Sequence, residues 1–479
     1  MYDVIIIGAG VIGSAAAYYL SQYNISVLVL EKSNDVSNGT SKANTAIIHA
    51  GYDPKPGSLM AKYNVAGSLL TEELCKKLDV PYQKNGAMVL AFNERDTDLL
   101  NELYQRGISN GVKDLSIINH EQINKTEPEI SSEVKKALLA KTSAIISPWE
   151  YTYALMETAL RNGVCLKLNN EVTKISKNDN IFTVESGENS YKCKYIINAA
   201  GIYADKVHEL IGKKEFTINL VRGEYYLLDK SQGGKTKHTL FQCPDNLGKG
   251  VVVAPTIHGN LIVGPNAENI TDDDTSTTSC GLQYVKEKAL LSINTINFGE
   301  NIRNFAGIRA KCDRDDFIVE ESKSVSGFFN LAAMASPALS SAPAIAMEAV
   351  KWLLDKENYI KKDNYIDERK KIRFKNLSAE EKNELIKKDP SYGRIICRCE
   401  TITEGEILQC FNTPIPPCSI DGVKRRTNAG MGRCQGGFCS EKVAMILMEK
   451  LNIKYNDILQ DEEGSNILLT PAKEGYENV

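Results

Sequence analysis

The sequence lacks any apolar run approaching the ~20 residues that span a bilayer. A transmembrane helix is therefore not expected, and any membrane contact would be peripheral. A secretory signal is not expected either, because Tyr2 and Asp3 lead directly into the apolar stretch 4–7, with no basic lead and no cleavage site. These absences predict a cytoplasmic protein, with association at the inner face of a membrane left open.

Charge of one sign is not in excess either. The 57 basic and 61 acidic side chains nearly cancel, and no block of like charge stands out. We therefore expect no nucleic acid partner. The 42% apolar and 25% charged residues are typical of a folded globular protein, and 479 residues predict two or three domains. The chain has no internal repeat.

Cysteine, in contrast, is plentiful and unevenly placed. Six of the 12 cysteines are scattered over the first two thirds of the chain, and the other six lie between 397 and 439. Such clustering favours metal ligation over disulfides.

Residues 3–31 have the pattern of a βαβ unit with a glycine-rich turn. A buried apolar strand at 4–7 precedes Gly8, Gly10 and Gly13, whose spacing is G-x-G-x-x-G, and a helix then runs to Leu20. The glycines permit the tight turn, the approach of a pyrophosphate and close helix packing. Glu31 follows a second strand, where a carboxylate can accept hydrogen bonds from ribose hydroxyls. This register favours a dinucleotide site over a purely structural turn, but does not separate FAD from NAD.

Residues 1 to about 355 resemble the FAD-dependent oxidoreductases of the D-amino-acid oxidase and glycerol-3-phosphate dehydrogenase superfamily. The resemblance, which covers short glycerol-3-phosphate oxidases and L-2-hydroxyglutarate oxidases, rests on the glycine motif and on the segments 40–51, 222–225, 263–267, 306–309 and 334–339. It implies FAD as the cofactor. A second glycine fingerprint for NAD is absent from the sequence.

The resemblance also implies which residues contact the flavin. The segment 41–46 would lie along the flavin, the strand before Ala199 near its adenosine half, and 336–339 at the pyrimidine end of the ring. The candidate FAD-binding residues are Gly8, Gly10, Val11, Ile12, Gly13, Glu31, Lys32, Ser41, Asn44, Thr45, Ala46, Val172, Ala199, Gly201, Gly307, Pro337, Ala338 and Leu339.

Oxidation of an alcohol by a flavin needs a base and an anion clamp. A histidine after two isoleucines is usually a hydrogen-bonded core residue, but the matching histidine of the family faces the flavin, so His49 is the candidate base. A covalent link from histidine to flavin remains an alternative.

Arg309 and Lys249 are the candidate anion clamps and complete the candidate catalytic set. Either would ordinarily be a solvated surface charge, but the matching family positions line the substrate cavity. Thr45 and Ser336 would add hydroxyl contacts to the substrate. Two departures stand out: Thr45-Ala46 replaces the family's serine-glycine, and Ala335 replaces a lysine close to the flavin.

Four cysteines form a C-x-C and a C-x4-C pair: Cys397, Cys399, Cys434 and Cys439. Four thiolates satisfy a [2Fe-2S] cluster, whereas a structural zinc site more often uses two C-x2-C pairs. The surrounding sequence resembles the bacterioferritin-associated ferredoxin-like domain of anaerobic glycerol-3-phosphate dehydrogenase large subunits. We therefore expect a cluster, with zinc as the alternative. Cys410 and Cys418 fall outside the pattern and are expected to be ordinary thiols.

The expected fold is a Rossmann-type α/β FAD-binding domain with an inserted β-rich substrate domain and a small, mainly helical, cysteine-rich domain. The expected bounds are 1–80, 146–215 and 300–355 for FAD binding, 81–145 and 216–299 for the substrate domain, 356–392 for a charged linker, and 393–479 for the cluster domain and tail.

The combination of flavin and cluster predicts a dehydrogenase. By resemblance, its substrate is sn-glycerol 3-phosphate and its electrons pass through the cluster to a second flavoprotein or iron-sulfur subunit. One alternative is an L-2-hydroxyglutarate or other 2-hydroxy-acid dehydrogenase, because an arginine holds a carboxylate as well as a phosphate. A non-catalytic electron-transfer subunit is the other alternative.

Overall fold

The computed structural model describes residues 1–244 and 250–469. Its strands in chain order are β1 (Tyr2–Ile7), β2 (Val27–Leu30), β3 (Ile47–Ile48), β4 (Tyr82–Gln83), β5 (Ala87–Ala91), β6 (Leu115–Asn119), β7 (Lys136–Ala140), β8 (Ala144–Ile146), β9 (Cys165–Lys167), β10 (Lys174–Asn178), β11 (Ile181–Ser186), β12 (Asn189–Asn198), β13 (Ile218–Leu228), β14 (Thr239–Gln242), β15 (Val252–Pro255), β16 (Leu261–Gly264), β17 (Glu268–Ile270), β18 (Asn301–Cys312), β19 (Ile318–Glu321), β20 (Phe328–Ala332), β21 (Ile395–Cys397) and β22 (Ile402–Thr403).

The α-helices are α1 (Val11–Leu20), α2 (Leu59–Lys77), α3 (Glu94–Ser109), α4 (His120–Thr126), α5 (Pro148–Arg161), α6 (Ala204–Glu209), α7 (Ser279–Ser292), α8 (Ala338–Leu354), α9 (Ala379–Lys388), α10 (Glu404–Cys410), α11 (Ile420–Thr427) and α12 (Ser440–Leu451). The chain divides into two compact units. The first comprises Met1–Leu30, Ser37–Lys167 and Glu171–Glu368, and the second comprises Glu31–Val36, Leu168–Asn170 and Arg369–Val479.

The first unit contains a parallel sheet around β1. Strands β9, β2, β1, β12 and β20 lie side by side in parallel, β19 adds an antiparallel edge, and the β10–β11 hairpin extends β12. Residues 4–7 of β1 and all of β2 are buried, as expected for a parallel sheet covered on both faces. Helix α1 connects β1 to β2 and begins directly after the glycine-rich turn. This arrangement confirms the predicted Rossmann-type βαβ unit.

The first unit also contains a larger, mainly antiparallel sheet. Its order is β17-β13-β16-β15-β14-β5-β7-β6, and β18 pairs with β13 over almost its full length. A small sheet of β3, β8 and β4 lies apart from it. Strands β5, β13, β15 and β16 of this sheet all lie within the segments 81–145 and 216–299 that the sequence assigns to the substrate domain. The predicted β-rich component is therefore present.

Helices α2 and α8 cross closely in the first unit. A Cβ atom at Gly67 of α2 would lie 2.3 Å from the backbone oxygen of Ser340 in α8, so only glycine permits this approach. The crossing matters for function because α2 and α8 both contribute side chains to the candidate site.

The second unit is mainly helical, as predicted. It contains α9 to α12, the short β21–β22 pair and a core that includes Ile407, Val423 and Leu447. Side-chain and backbone hydrogen bonds between Ser378 and Glu381, and between Thr403 and Glu406, form capping boxes at the start of α9 and α10. The charged segment expected to be a linker contains α9, and its residues from Arg369 onward belong to this unit. The finer domain bounds stay a prediction.

Within the described ranges, no helix is both long enough and apolar enough to cross a membrane.

Candidate functional site

The glycine-rich turn has the close backbone contacts that its sequence predicts. Gly8 has a φ of +102°, and a Cβ there would lie 2.5 Å from the carbonyl oxygen of Ala199. A Cβ at Gly13 would lie 2.0 Å from the carbonyl oxygen of Gly8. The backbone N–H of Ala199 donates to Ile7 at 2.9 Å, which holds the end of β12 beside the turn. Both glycines are therefore required by packing as well as by the predicted pyrophosphate contact.

Two serine hydroxyls near this turn fit a phosphate-bearing cofactor. The Ser41 hydroxyl accepts a hydrogen bond of 2.9 Å from the N–H of Val11, the first residue of α1. The Ser37 backbone N–H donates to Ala9 at 3.1 Å, while the buried Ser37 hydroxyl has no hydrogen-bond partner among the described residues. A buried polar group without a partner is costly, so an additional acceptor or donor here is favourable. The residues present thus suit the pyrophosphate of a dinucleotide.

The remaining adenosine-side candidates lie at the ends of strands of the parallel sheet. Glu31 follows β2 directly, and its carboxylate accepts a hydrogen bond of 2.9 Å from the Ser33 backbone N–H. Lys32 is exposed, Val172 is half-buried before β10, and Gly201, with a φ of +60°, follows β12. Ile12 is buried in the first turn of α1. Their contacts with FAD stay a prediction.

The segment 41–46 is a compact turn that packs against β18. Asn44 donates from its side chain to the carbonyl oxygens of Thr40 and Ser41, at 3.1 and 3.0 Å, and accepts from the Ala46 N–H at 2.8 Å. A Cβ at Gly307 would lie 2.0 Å from the carbonyl oxygen of Ala43, which explains the glycine in β18. Thr45 is half-buried within the turn. The structure thus brings together the predicted flavin segment, Gly307 and, through Ser41, the start of α1.

Hydrogen bonds hold His49 at its backbone N–H, at its backbone carbonyl oxygen and at its imidazole ring. Its backbone N–H donates to the Ser340 hydroxyl at 2.8 Å, and its carbonyl oxygen accepts from the Asn64 side chain at 2.7 Å. The Ser336 hydroxyl lies 3.2 Å from the ring Nε2. Asn64 and Ser340 are fully buried, on α2 and α8. The half-buried imidazole is consequently fixed in place, with Ser336 as a hydrogen-bond partner for the nitrogen that would exchange a proton.

Sequence reasoning named Ser336 but missed Asn64 and Ser340. Neither residue belongs to a motif that the sequence analysis used. Pro337 precedes α8 directly, and Ala338 and Leu339 form its first turn. The structure therefore places the 336–339 segment at the start of the helix that also fixes His49.

Arg309 lies on β18, two residues after Gly307. Residues two apart in a strand point to the same face, so Arg309 shares the face that Gly307 turns toward the 41–46 segment. Its Nη2 lies 3.4 Å from the carbonyl oxygen of Asn266, and a Cβ at Gly223 would lie 2.8 Å from the same nitrogen. The guanidinium therefore runs across β13 at a position where only a glycine leaves room.

A buried network fixes the residues beneath Arg309. The Glu224 N–H donates to the Asn266 side chain at 2.7 Å, and the Glu224 carboxylate accepts from the Thr278 N–H at 2.6 Å and from its hydroxyl at 2.9 Å. Arg222, in contrast, is paired with Glu268 and Asp274, each at 2.8 Å. Asn266 and Glu224 lie in segments that the family resemblance singles out. Lys249, the other predicted anion clamp, lies outside the described residues.

The four predicted cluster ligands form two thiol pairs in the second unit. The Cys399 and Cys434 sulfurs lie 3.6 Å apart. The free thiols of Cys397 and Cys439 form a hydrogen bond, and this hydrogen bond lowers the pKa of Cys397 to about 6, with further hydrogen bonds donated by the backbone N–H groups of Gly430 and Glu400. Among the described residues, no three His, Cys, Asp or Glu side chains converge around one point as a single metal ion requires. A [2Fe-2S] cluster takes four cysteine thiolates, so the four cysteines of these two pairs match its ligand requirement.

The other two cysteines of this region lie apart from the pairs. The Cys410 thiol donates to Glu406 at 3.3 Å, and the Cys418 thiol donates to Asn34 at 3.3 Å. Burial raises the pKa of Cys418. These contacts are those of packed thiols.

The family pattern described as "FAD dependent oxidoreductase" matches residues 3–352. The chain belongs to this family. Residues 395–449 match the "BFD-like [2Fe-2S] binding domain", so this FAD-dependent oxidoreductase has a cluster-binding domain that follows its flavin domain in the sequence. These two family matches confirm the predicted cofactors, FAD and a [2Fe-2S] cluster. The predicted fold class and the assignment as an oxidoreductase are confirmed as well.

Curated relatives and a solved structure agree with this assignment. A glycerol 3-phosphate dehydrogenase of Caloramator mitchellensis is 49% identical over 476 residues, covering 99% of both chains. The dithionite-reduced L-alpha-glycerophosphate oxidase of Mycoplasma pneumoniae with FAD bound has a TM-score of 0.74 and 34% identity, covering 78% of this chain and 99% of that one. An L-2-hydroxyglutarate dehydrogenase of Nematostella vectensis is 31% identical, covering 56% of this oxidoreductase and 62% of its own chain.

Proposed function

We propose that this oxidoreductase oxidises sn-glycerol 3-phosphate to dihydroxyacetone phosphate. The observation that carries the proposal is that His49 and Arg309 both lie next to the 41–46 segment. His49 follows the segment and is fixed at three points, while Arg309 shares the strand face that packs against the segment. Both residues thus adjoin the segment that the resemblance assigns to the flavin, which supports the roles of base for His49 and of anion-binding cation for Arg309. The full-length similarity to a glycerol 3-phosphate dehydrogenase supports this choice of substrate.

Each of these residues has its own role in the proposed reaction. Arg309 binds the phosphate with a planar, permanently charged fork. His49 accepts the hydroxyl proton at Nε2, where the substrate hydroxyl takes the place of the Ser336 hydroxyl that lies 3.2 Å from that nitrogen. Bound FAD would accept the hydride, and a bound [2Fe-2S] cluster would relay the two electrons one at a time. The alcohol thereby loses one proton and one hydride and becomes the ketone.

The electron acceptor is part of the same proposal. A one-electron centre in the chain is useful only when something collects its electrons, so we propose a second flavoprotein or iron-sulfur subunit in that role. Cytoplasmic location, with peripheral contact to the inner face of a membrane, stays a prediction from the sequence.

Anaerobic spectroscopy of the holoprotein tests the substrate. Addition of sn-glycerol 3-phosphate is expected to bleach the flavin absorption and to produce the electron paramagnetic resonance (EPR) signal of a reduced [2Fe-2S] cluster. The opposite enantiomer serves as the control. Bleaching by L-2-hydroxyglutarate alone would replace the proposed substrate, since Arg309 also suits a carboxylate. The proposal is wrong if dithionite reduces the flavin and the cluster but neither sn-glycerol 3-phosphate nor L-2-hydroxyglutarate does.

A further inference from the structure

Two buried hydrogen-bond donors lie at the start of α5. Ser147 is the N-cap residue of this helix, yet its fully buried hydroxyl makes no cap bond and bonds to none of the described residues. The Nε1 atom of Trp149, two residues later, is also buried and has no hydrogen-bond partner in the part of the chain that the structure describes. A buried donor without an acceptor is costly, so both groups suit an acceptor that a ligand supplies.

The start of α5 adjoins the segment 41–46, which the family resemblance assigns to the flavin. The carbonyl oxygen of Ala46 accepts a hydrogen bond of 3.0 Å from the N–H of Ile146, the residue before Ser147. Ser41, near the other end of the segment, bonds to the first residue of α1 at 2.9 Å. The segment therefore contacts the N-terminal ends of both helices.

The C-terminal ends of α1 and α5 are also joined. The backbone N–H of Lys362 donates to the carbonyl oxygen of Gln22, two residues after α1, at 2.8 Å. The Lys362 ammonium group bonds to the carbonyl oxygen of Asn162, the C-cap residue of α5. The two helices consequently pack side by side and run in the same direction. Ser147 and Trp149 thus lie at the same end of the helices as the glycine-rich turn, which is the cofactor end.

The chemistry of this helix start favours a neutral acceptor. The indole N–H of Trp149 can only donate, whereas the Ser147 hydroxyl can donate or accept. Glu150 is a buried acidic side chain in the same first turn, where it interacts favourably with the positive end of the helix. A second anionic group, such as a phosphate, is therefore disfavoured here. The ring carbonyls and ribityl hydroxyls of a flavin are neutral acceptors.

We propose that Ser147 and Trp149 form a hydrogen-bonding subsite for the flavin half of FAD. The inference depends on the FAD assignment and not on the proposed substrate. The Trp149 ring stacks on the His258 ring, with centroids 6.0 Å apart and an angle of 18° between the planes. This stacking holds the indole in place, and a donor that is already ordered loses little entropy on binding. No FAD-binding residue expected from the sequence lies on α5.

Dissociation of FAD from the full-length holoprotein tests the subsite. A dilution series gives the Kd from the fluorescence of released FAD. The variants Ser147→Ala and Trp149→Phe each remove one donor with little change of shape. Thr152→Val on the same helix is the matched control, because the buried Thr152 hydroxyl donates to the carbonyl oxygen of Pro148 at 2.8 Å.

Each donor variant is expected to raise the Kd for FAD about fivefold, and the double variant should raise it further. The control should leave the Kd within about twofold of the parent value. Ser147→Ala should not lower the thermal stability of the FAD-free protein, because the hydroxyl that it removes bonds to no described residue. Weaker FAD binding without a loss of stability distinguishes a cofactor contact from a structural role.

Nuclear magnetic resonance of the indole N–H groups gives a second readout. The chain has two tryptophans, and the Trp352 indole already donates to Glu321 at 3.0 Å. In protein labelled with ¹⁵N-tryptophan, addition of FAD to the FAD-free chain should move the Trp149 N–H proton signal downfield, as expected when a hydrogen bond forms. The Trp352 signal should stay in place and serves as the internal control, and Trp149→Phe assigns the two signals.

An unchanged Kd for FAD in both Ser147→Ala and Trp149→Phe would overturn the proposal, since an ordered water would then satisfy the donors. An equal loss of affinity for ADP, which has the pyrophosphate but no flavin, would also overturn it. So would a loss of stability in FAD-free Ser147→Ala as large as the loss in FAD binding. Failure of glycerol 3-phosphate to reduce the flavin would count against the proposed substrate alone.

Discussion

Arg426 binds Asp35 through two parallel hydrogen bonds, from Nη1 to Oδ2 and from Nη2 to Oδ1, each 2.8 Å long. Both side chains are almost fully buried, and Arg425 adds a bond of 3.3 Å to the same carboxylate. Asp35 belongs to the loop Glu31–Val36, which starts at the candidate ribose-binding carboxylate, and Arg426 belongs to α11 of the same compact unit. The loop is therefore held in place by a helix nearly 400 residues further along the chain.

Removal of one partner of this ion pair should be costly. Arg426→Met removes both of its hydrogen bonds to the buried Asp35 carboxylate, and we expect the free energy of unfolding to fall by about 3 kcal/mol. Chemical denaturation followed by circular dichroism measures this change. The double variant Asp35→Leu with Arg426→Met should recover much of the loss, because it buries no unpaired charge. Full stability in the single variant would contradict this account.

Ala46 occupies a conformation that favours glycine. Its φ is +60°, in the left-handed region, and the family resemblance places a glycine here. Ala46→Gly should raise the free energy of unfolding by roughly 0.5–1 kcal/mol, because relief of the backbone strain exceeds the entropy cost of glycine. Thermal unfolding checks the change. The exposed Ala267, whose φ is not positive, is the control, and Ala267→Gly should lower the stability.

Asn64 and Ser340 should act as positioning residues for His49. Asn64→Ala or Ser340→Ala removes one of the two bonds that fix the His49 peptide, and kcat is expected to fall about tenfold or more with little change in KM. His49→Asn should lower kcat by about 10²–10⁴ and remove the limb of the pH profile that reports the base.

The control for these variants is Thr71→Val on α2, since the buried Thr71 hydroxyl donates to the Gly67 carbonyl oxygen and interacts with Tyr151 rather than with His49. It should leave kcat within about twofold of the parent. Loss of bound FAD in the Asn64 or Ser340 variants would indicate a structural role instead.

Arg309 should determine the affinity for the substrate anion. Arg309→Lys keeps the charge but loses the planar fork, so KM should rise about tenfold, and Arg309→Met should raise it further. Arg222→Lys, on the strand paired with β18, is the matched control, because Arg222 is already bound by two carboxylates. It should alter thermal stability rather than KM. An unchanged KM in Arg309→Met would remove Arg309 from the site.

The two thiol pairs predict which cysteines the cluster needs. Cys399→Ala or Cys434→Ala should abolish the EPR signal of the reduced cluster and lower the iron content, since each iron needs both thiolates of its pair. Cys410→Ala should leave both unchanged, because its thiol bonds to the Glu406 backbone. Zinc in place of iron in the purified parent protein would contradict the cluster assignment.

The sequence contains the features that depend on a few neighbouring residues. The glycines of the first turn, the acidic residue after β2 and the paired cysteines have spacings dictated by local backbone geometry and ligand chemistry. The glycines and the acidic residue predicted the dinucleotide-binding βαβ unit, the family resemblance predicted FAD, and the cysteines predicted the cluster domain. Side chains such as Asn64 and Ser340 carry no comparable local signal, because a buried asparagine or serine is common in any helix.

What the sequence alone determined is therefore the class of the protein: a Rossmann-type flavin domain joined to a [2Fe-2S] domain. The tertiary structure alone decided how the site is held. His49 is fixed by residues 15 and 291 positions away, and Asp35 is bound by an arginine 391 positions away. Such partners meet only after helices and sheets have packed. The physical reason is that glycine turns and thiol spacings are set within a few bonds, whereas these contacts depend on the whole fold.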